Sequence, residues 1–231
     1  MESAKEIREW MIEALSKPKK NYYLTSLDEV KGFDPNNKPR LLLQVCCGPC
    51  SCHPLVWLSQ YFDITIYYNS SNIYPKEEYD HRESELERLL DNLERDYGFR
   101  PKLIVPPYDN ETYNLSLEPY KDEPERGARC KVCYQKRMEE AFDYADEHGF
   151  DYFCTVMTIS RQKSSIILNE IGRLLEESKP HKAKYFYSDF KKDDGILKGK
   201  AIRERYSLYN QDYCGCVYSY EEKLAREKKA E

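Results

Sequence analysis

The sequence predicts an α/β fold, a mainly parallel sheet with helices on both faces, and three observations predict it. Five short apolar or aromatic runs alternate with segments that carry apolar residues at helical spacing, the order that strand–helix–strand crossovers require. The first run, Leu41-Leu42-Leu43-Gln44-Val45, is almost continuously apolar, as suits a strand covered on both faces. The chain has 231 residues, which fits one large domain. We divide it into an N-terminal helix and loop (1–37), an α/β core (38–188) and a basic, aromatic and irregular segment with cysteines and a final helix (189–231).

Each element has its own signal. In residues 2–16, Ile7, Trp10, Met11, Ala14 and Leu15 form one apolar stripe, which Pro18 ends. A polar loop through Asp34-Pro35-Asn36-Asn37 leads to the first strand, with Cys46 and Cys47 at its end. Gly48-Pro49-Cys50-Ser51 predicts a turn, with Ser51 capping a helix over 52–61. Ile64-Thr65-Ile66-Tyr67-Tyr68 is β-branched and aromatic and predicts a second strand. Leu86, Leu89, Leu90 and Leu93 make 76–97 a helix, and Gly98 stops it. Leu103-Ile104-Val105 predicts a third strand, and 108–129 a long polar connection. A helix over 133–148, a strand over 152–158, a helix over 164–178 and a short strand at 185–187 complete the core. In such a sheet ligands bind beyond the carboxyl ends of the strands, where Cys46 and Cys47 stand.

Composition narrows the function. Hydrophobic residues make up 40% of the chain, enough for a buried core. Lys plus Arg number 36 against 41 Asp plus Glu, a net charge of −5, so a nucleic-acid partner would need a local basic patch. No run approaches the ~18 apolar residues of a membrane span, and the start lacks the apolar region of a secretory signal, so a cytoplasmic location is expected. The sequons at Asn110 and Asn114 are then chance matches. Nine cysteines in a reducing compartment, odd in number and crowded into short motifs, argue for metal or redox chemistry over a disulfide scaffold.

The strongest constellation joins Cys46-Cys47 at a strand end to Cys130-Lys131-Val132-Cys133 at the mouth of a helix. Four sulfurs suit zinc or an iron–sulfur cluster, with buried structural thiols as the bland alternative. The adjacency of Cys46 and Cys47 favours iron, because zinc knuckles space both ligand pairs. Cys50 is a candidate further metal ligand, whereas Cys52 and Cys154 read as core residues and His53 as a helix-face histidine. Cys214-Gly215-Cys216 is open to three readings: a strained, redox-active disulfide, a metal-binding pair, or a turn with two buried thiols. From Asp189 to Tyr209, Lys191, Lys192, Lys198, Lys200, Arg203 and Arg205 lie among Phe190, Tyr206 and Tyr209, a pattern for phosphate contact and base stacking or for a solvated loop. Ser160-Arg161-Gln162-Lys163 opens a helix and suits a phosphate, or simply a helix cap.

Taken together, Val45-Cys46-Cys47-Gly48-Pro49-Cys50, Arg129-Cys130-Lys131-Val132-Cys133, Ser160-Arg161-Gln162-Lys163, Asp189-Phe190 and Gln211-Asp212-Tyr213-Cys214-Gly215-Cys216 closely resemble the QueH family of epoxyqueuosine reductases, over about residues 38–220. The resemblance implies an oxidoreductase that turns the epoxide of epoxyqueuosine in tRNA into the alkene of queuosine without cobalamin. It implies a [4Fe–4S] cluster on Cys46, Cys47, Cys130 and Cys133, a redox-active Cys214/Cys216 pair, and an additional iron, for which Cys50 and Asp189 are the candidate ligands. It also implies a fold similar to the adenine-nucleotide alpha-hydrolase (HUP) type. The loop after the first strand lacks the S-G-G-x-D-S pattern for ATP, so no ATP use is expected.

Epoxide-to-alkene reduction takes two electrons and two protons and expels water. A one-electron cluster therefore needs a second redox store, and Asp189 or a nearby Tyr is the expected proton donor. No motif names the electron donor. Two rivals remain on the sequence alone. One is a tRNA sulfur-transfer enzyme of related fold with persulfide-carrying thiols. The other is a zinc-stabilised RNA-binding module without catalysis.

Overall fold

The structure is a computed structural model that describes residues 2–178 and 180–230, without the side chain of Ala230; the terminal positions of the predicted segments 1–37 and 189–231 lie outside it. Its sheet has strands β1 (Arg40–Gln44), β2 (Asp63–Tyr67), β3 (Lys102–Ile104), β4 (Tyr152–Thr155) and β5 (Lys184–Tyr185). They are ordered β3-β2-β1-β4-β5 and every pairing is parallel. The expected α/β architecture is therefore present.

Helices α1 (Ala4–Ser16), α2 (Tyr22–Val30), α3 (Gly48–Leu58), α4 (Lys76–Tyr97), α5 (Asn110–Leu117), α6 (Ala128–Glu147), α7 (Ser165–Ser178), α8 (Gly195–Arg205) and α9 (Val217–Ala230) surround the sheet. Alternate residues of β1 build two cores: Leu41 and Leu43, with Val45 just beyond the strand, join the leucines of α3 and α4, and Leu42 joins Met138, Phe142, Leu168 and Ile171 of α6 and α7. This two-sided burial explains the continuous apolar run. Because β1 sits between β2 and β4, strand order reverses there and leaves a crevice at the carboxyl ends of β1 and β4.

Several local expectations are corrected. Gly48-Pro49-Cys50-Ser51 is not a turn: α3 begins at Gly48 with Cys47 as N-cap, and the Ser51 hydroxyl donates to the Cys47 carbonyl at 2.8 Å instead of capping. Glycine is needed at 48 because a Cβ there would lie 3.0 Å from the Glu85 carbonyl oxygen of α4. The connection over 108–129 contains α5, capped by Asp109, and α6 starts at Ala128, so both Cys130 and Cys133 lie within its helical backbone. Residues 22–30 and 195–205, read as loop, are α2 and α8. Among the described residues no helix is long and apolar enough to cross a membrane.

α8 packs on α3 at His53, whose side chain meets Gly195 and Gly199. Burial, with Lys198 nearby, pushes His53 down to about 4 against a partial opposing effect of Asp193. From about pH 6.5 the unfolded chain takes up a proton that the folded protein refuses until about pH 4. Stability should thus fall as pH drops through that window, by about 2 kcal/mol after discounting for solvent screening. Denaturant midpoints at pH 7 and pH 4.5 check this: the drop should be smaller in His53→Gln, and an equal drop in both proteins would remove His53 as its cause.

Candidate metal centre

Seven cysteines gather at the crevice on three pieces of chain. Cys46 and Cys47 arrive at the end of β1 and Cys50 on the first turn of α3; their three sulfurs lie within 4.8 Å of one another, with Cys46 and Cys47 4.0 Å apart. Cys130 and Cys133 are three residues apart near the start of α6 and so share a face. The Tyr113 hydroxyl of α5 donates to Cys133 Sγ at 3.2 Å, and the Arg126 backbone N–H donates to Cys130 Sγ at 3.2 Å. Arg126 is held at φ +69°, a strained value for a residue with a Cβ. Among the described residues Cys50 belongs to the tight sulfur group with Cys46 and Cys47, and the α6 pair does not. The two sets meet at Arg137, which is faced by Cys133, Cys46 and Cys214.

The third piece is the 206–216 loop. Gly215 adopts φ +118°, and a Cβ there would lie 3.0 Å from an Arg82 nitrogen, so glycine is required. Arg82, buried on α4 and paired with Glu78 at 2.7 Å, donates to the Cys214 and Tyr213 carbonyls, each at 3.2 Å. The loop is thereby fixed against α4. Cys214 turns toward Lys163, whose Nζ is 3.8 Å from its sulfur, and the Cys216 thiol donates to Ser219 at 3.4 Å. Both thiols are free in the structure, so a disulfide is not present in this state. Gln211 Nε2 donates to Cys47 Sγ at 3.0 Å and sits 3.7 Å from Cys50 Sγ, while its Oε1 is buried without a partner.

A cavity of about 430 Å³ opens here, walled by Cys46, Cys50, Tyr134, Lys163, Gln211 and Cys214. The thiols of Cys47 and Cys50 donate to Cys46 and hold it well below the usual thiol range. The same contact pushes Cys47 up and Cys50 up to about 12. Burial pushes Cys130 up to about 12. Three adjacent thiols therefore ionise one at a time unless a cation joins them, the behaviour of a metal-binding donor set. Two further positive groups, Arg137 and Lys163, face the sulfurs, so the residues fit a thiolate-bound metal centre.

The remaining sequence expectations fall outside this cavity. Cys52 and Cys154 are fully buried in the core, and His53 is a buried residue on α3. Asp189 is also buried: it accepts from the Ser165 hydroxyl at 2.9 Å and pairs with Lys191 at 3.1 Å, in a neighbouring crevice beside His53 and Trp57. Lys163 turns inward to sulfur and not outward to a phosphate site. The basic segment is largely engaged, within itself and with α4: Lys198 with Asp193, Lys200 with Glu204, Arg205 with Asp96, and the Tyr206 and Tyr209 hydroxyls on Asp96 and Glu78. That arrangement fits the solvated alternative better than a stacking platform.

Arg82, Arg137, Tyr113 and Tyr134 are the site residues that sequence reasoning missed, and Gln211 entered only as part of a motif. One signal was available, because Arg137 is four residues after Cys133 and Arg82 four before Leu86, both on the buried stripe of a helix.

Comparison with known proteins gives one consistent answer. The family model described as "Epoxyqueuosine reductase QueH" matches residues 41–222. The epoxyqueuosine reductase QueH of Streptococcus pyogenes serotype M1 is 37% identical over 182 residues, 79% of this chain and 71% of that protein. The QueH of Staphylococcus aureus is 36% identical over 184 residues, covering 79% and 76%. Among solved structures, the U34-tRNA thiolase NcsA of Methanococcus maripaludis with its [4Fe–4S] cluster superposes with a TM-score of 0.51 at 14% identity. That match covers 84% of this chain and 66% of the thiolase, and it speaks for the fold alone.

Proposed function

The chain belongs to the QueH family of epoxyqueuosine reductases, and from that premise we propose that its cysteine-lined cavity is where the epoxide of epoxyqueuosine in tRNA is reduced to the alkene. The observation that carries this reading is the convergence of Cys46, Cys50 and Cys214 on one cavity, with Cys47 buried in the same sulfur group as Cys46 and Cys50, and Cys130 and Cys133 in the same electrostatic surroundings. We assign Cys46, Cys47, Cys130 and Cys133 as the ligands of a [4Fe–4S] cluster and Cys214 with Cys216 as the redox-active pair. Cys50, grouped with Cys46 and Cys47, is the candidate ligand of an additional iron. Bound there, the iron centre supplies electrons one at a time.

The protein's own residues position the reaction. The Lys163 ammonium projects into the cavity beside Cys214, where it attracts the oxygen that carries developing negative charge as the epoxide opens. Tyr134 Oη delivers a proton to that oxygen, because its side chain lines the cavity while Asp189 lies in the next crevice. Asp189 acts as a positioning group, holding Ser165 at the start of α7 and Lys191, whose Nζ donates to the Thr158 carbonyl at 2.7 Å. At the mouth, Arg126 and Arg226 form no ion pair among the described residues and suit the phosphates of a tRNA. A reducing location in the cytoplasm suits the free thiols.

Anaerobic purification with iron and sulfide quantitation, followed by turnover of epoxyqueuosine-containing tRNA, tests the proposal. Tyr134→Phe should keep its iron and sulfide and lose about a hundredfold in kcat. Zinc in place of iron, or turnover that requires ATP, would instead favour the RNA-binding module or the sulfur-transfer enzyme.

A further inference from the structure

Two cations beside the cavity have no carboxylate partner. Arg137 on α6 is 2% exposed; its Nε donates to the Cys133 carbonyl at 3.4 Å and its Nη2 lies 3.0 Å from Met157 Sδ, both neutral acceptors. Lys163 reaches Cys214 Sγ at 3.8 Å and lies 5.9 Å from the centre of the Tyr134 ring. Neither has an acidic group within ion-pair distance among the described residues. Of the nearby carboxylates, Glu78 is paired with Arg82 at 2.7 Å, and Glu140, which accepts from Asn69 at 3.0 Å, attracts both Lys136 and Arg137 without forming an ion pair with Arg137.

A buried guanidinium without an ion-pair partner is strongly disfavoured, so the fold must place negative charge against it. What faces Arg137 is sulfur, from Cys133, Cys46 and Cys214, together with the Tyr113 phenol. Lys163 is faced by Cys214, Cys46 and Cys50, together with the Tyr134 phenol. Burial opposes the charge of both cations, and the sulfurs more than offset it. A cubane on four thiolates is a net dianion when oxidised and a trianion when reduced. Among the cations that face the sulfurs, Arg137 and Lys163 are the two left to balance it once Arg82 is matched with Glu78; Arg126 and Arg226 stand at the mouth, with no side-chain contact to sulfur among the described residues.

We infer that Arg137 and Lys163 are positioning residues that provide the countercharge of the sulfur centre and raise its reduction potential. The inference rests on the iron–sulfur reading given above. Its physical content is the sign: a fixed positive charge stabilises the more negative, reduced state over the oxidised one, so removing it makes the centre harder to reduce. A role in packing alone, such as Arg137 fixing Met157, has no such dependence on charge.

The test is a redox titration of the full-length, anaerobically reconstituted protein after iron and sulfide have been counted. At a fixed ambient potential the reduced-to-oxidised ratio should fall about tenfold in Arg137→Met and in Lys163→Met, a midpoint about 59 mV more negative for a one-electron couple. Arg137→Lys and Lys163→Arg, which keep the charge, should stay within about twofold of wild type. Fully loaded methionine variants with an unchanged ratio would overturn the inference and leave the iron–sulfur reading intact. A wild-type protein without iron and sulfide would overturn that reading itself. If Arg137→Met does not fold, Lys163→Met on the cavity wall decides alone.

Discussion

Cys133→Ala should yield a folded, colourless protein in which iron, sulfide and epoxide reduction are all lost together. The substitution is mild for the fold: alanine is the best helix former, and position 133 lies inside α6, in a small cluster with Tyr113 and Leu117. Its effect on the centre is severe, because removing one of four thiolates leaves one iron without its sulfur ligand and the cluster open to loss. Turnover should fall to background, and circular dichroism should stay close to wild type.

Cys50→Ala is the informative comparison. Cys50 belongs to the tight sulfur group, so if it holds only an additional iron its loss should leave the cluster's visible absorbance in place. Full loading in Cys133→Ala with an empty Cys50→Ala would show that the metal sits on Cys46, Cys47 and Cys50, and would remove the α6 pair from the ligand set.

Much of this site was legible because cysteine is rare and its spacing carries chemistry. What the sequence hid was the charge around it. Arg82 and Arg137 occupy stripe positions on α4 and α6 where a leucine would be ordinary, and only the fold shows that those stripes end at sulfur. The fold has the same division. α4 is written in its leucines and in Gly98, which takes φ +72° at the C-cap. α2 buries only Ser26 and Val30, and α8 only Gly195 and Gly199, so neither carries the apolar period by which a helix is recognised. The apolar period of Met138, Ala141, Phe142 and Ala145 supports a helix only from Cys133, whereas α6 begins at Ala128 behind Gly127, an N-cap with no side-chain hydrogen bond to mark it.

The glycine face of α8 leads to the second large effect, the loss of a stable fold in Gly195→Ala. In a helix, glycine to alanine ordinarily gains about 1 kcal/mol, and Gly195 is the first residue of α8. Here the sign reverses. A Cβ at 195 would lie 1.9 Å from the Phe190 carbonyl oxygen and 2.7 Å from His53 Cδ2, and the first of these atoms belongs to the backbone and cannot rotate away. Relief requires the start of α8 to shift away from the Phe190 turn as well as from His53 of α3, and overpacking of this kind costs about 3 kcal/mol or more. Because α8 leads directly into the loop that carries Gln211 and Cys214, the same movement should withdraw them from the cavity and lower turnover even where the protein remains folded.

Gly199→Ala separates this steric cause from a general dislike of side chains on α8. Its added Cβ would meet His53 Cβ at 3.5 Å, an ordinary contact, so helix propensity should dominate and the variant should match or exceed wild type by up to about 1 kcal/mol. Denaturant midpoints of the two variants, measured side by side, decide the matter. A Gly195→Ala protein as stable as wild type would mean that the start of α8 does not pack against the Phe190 turn and His53 as closely as the structure has it, and the placement of the Cys214 loop would lose that support.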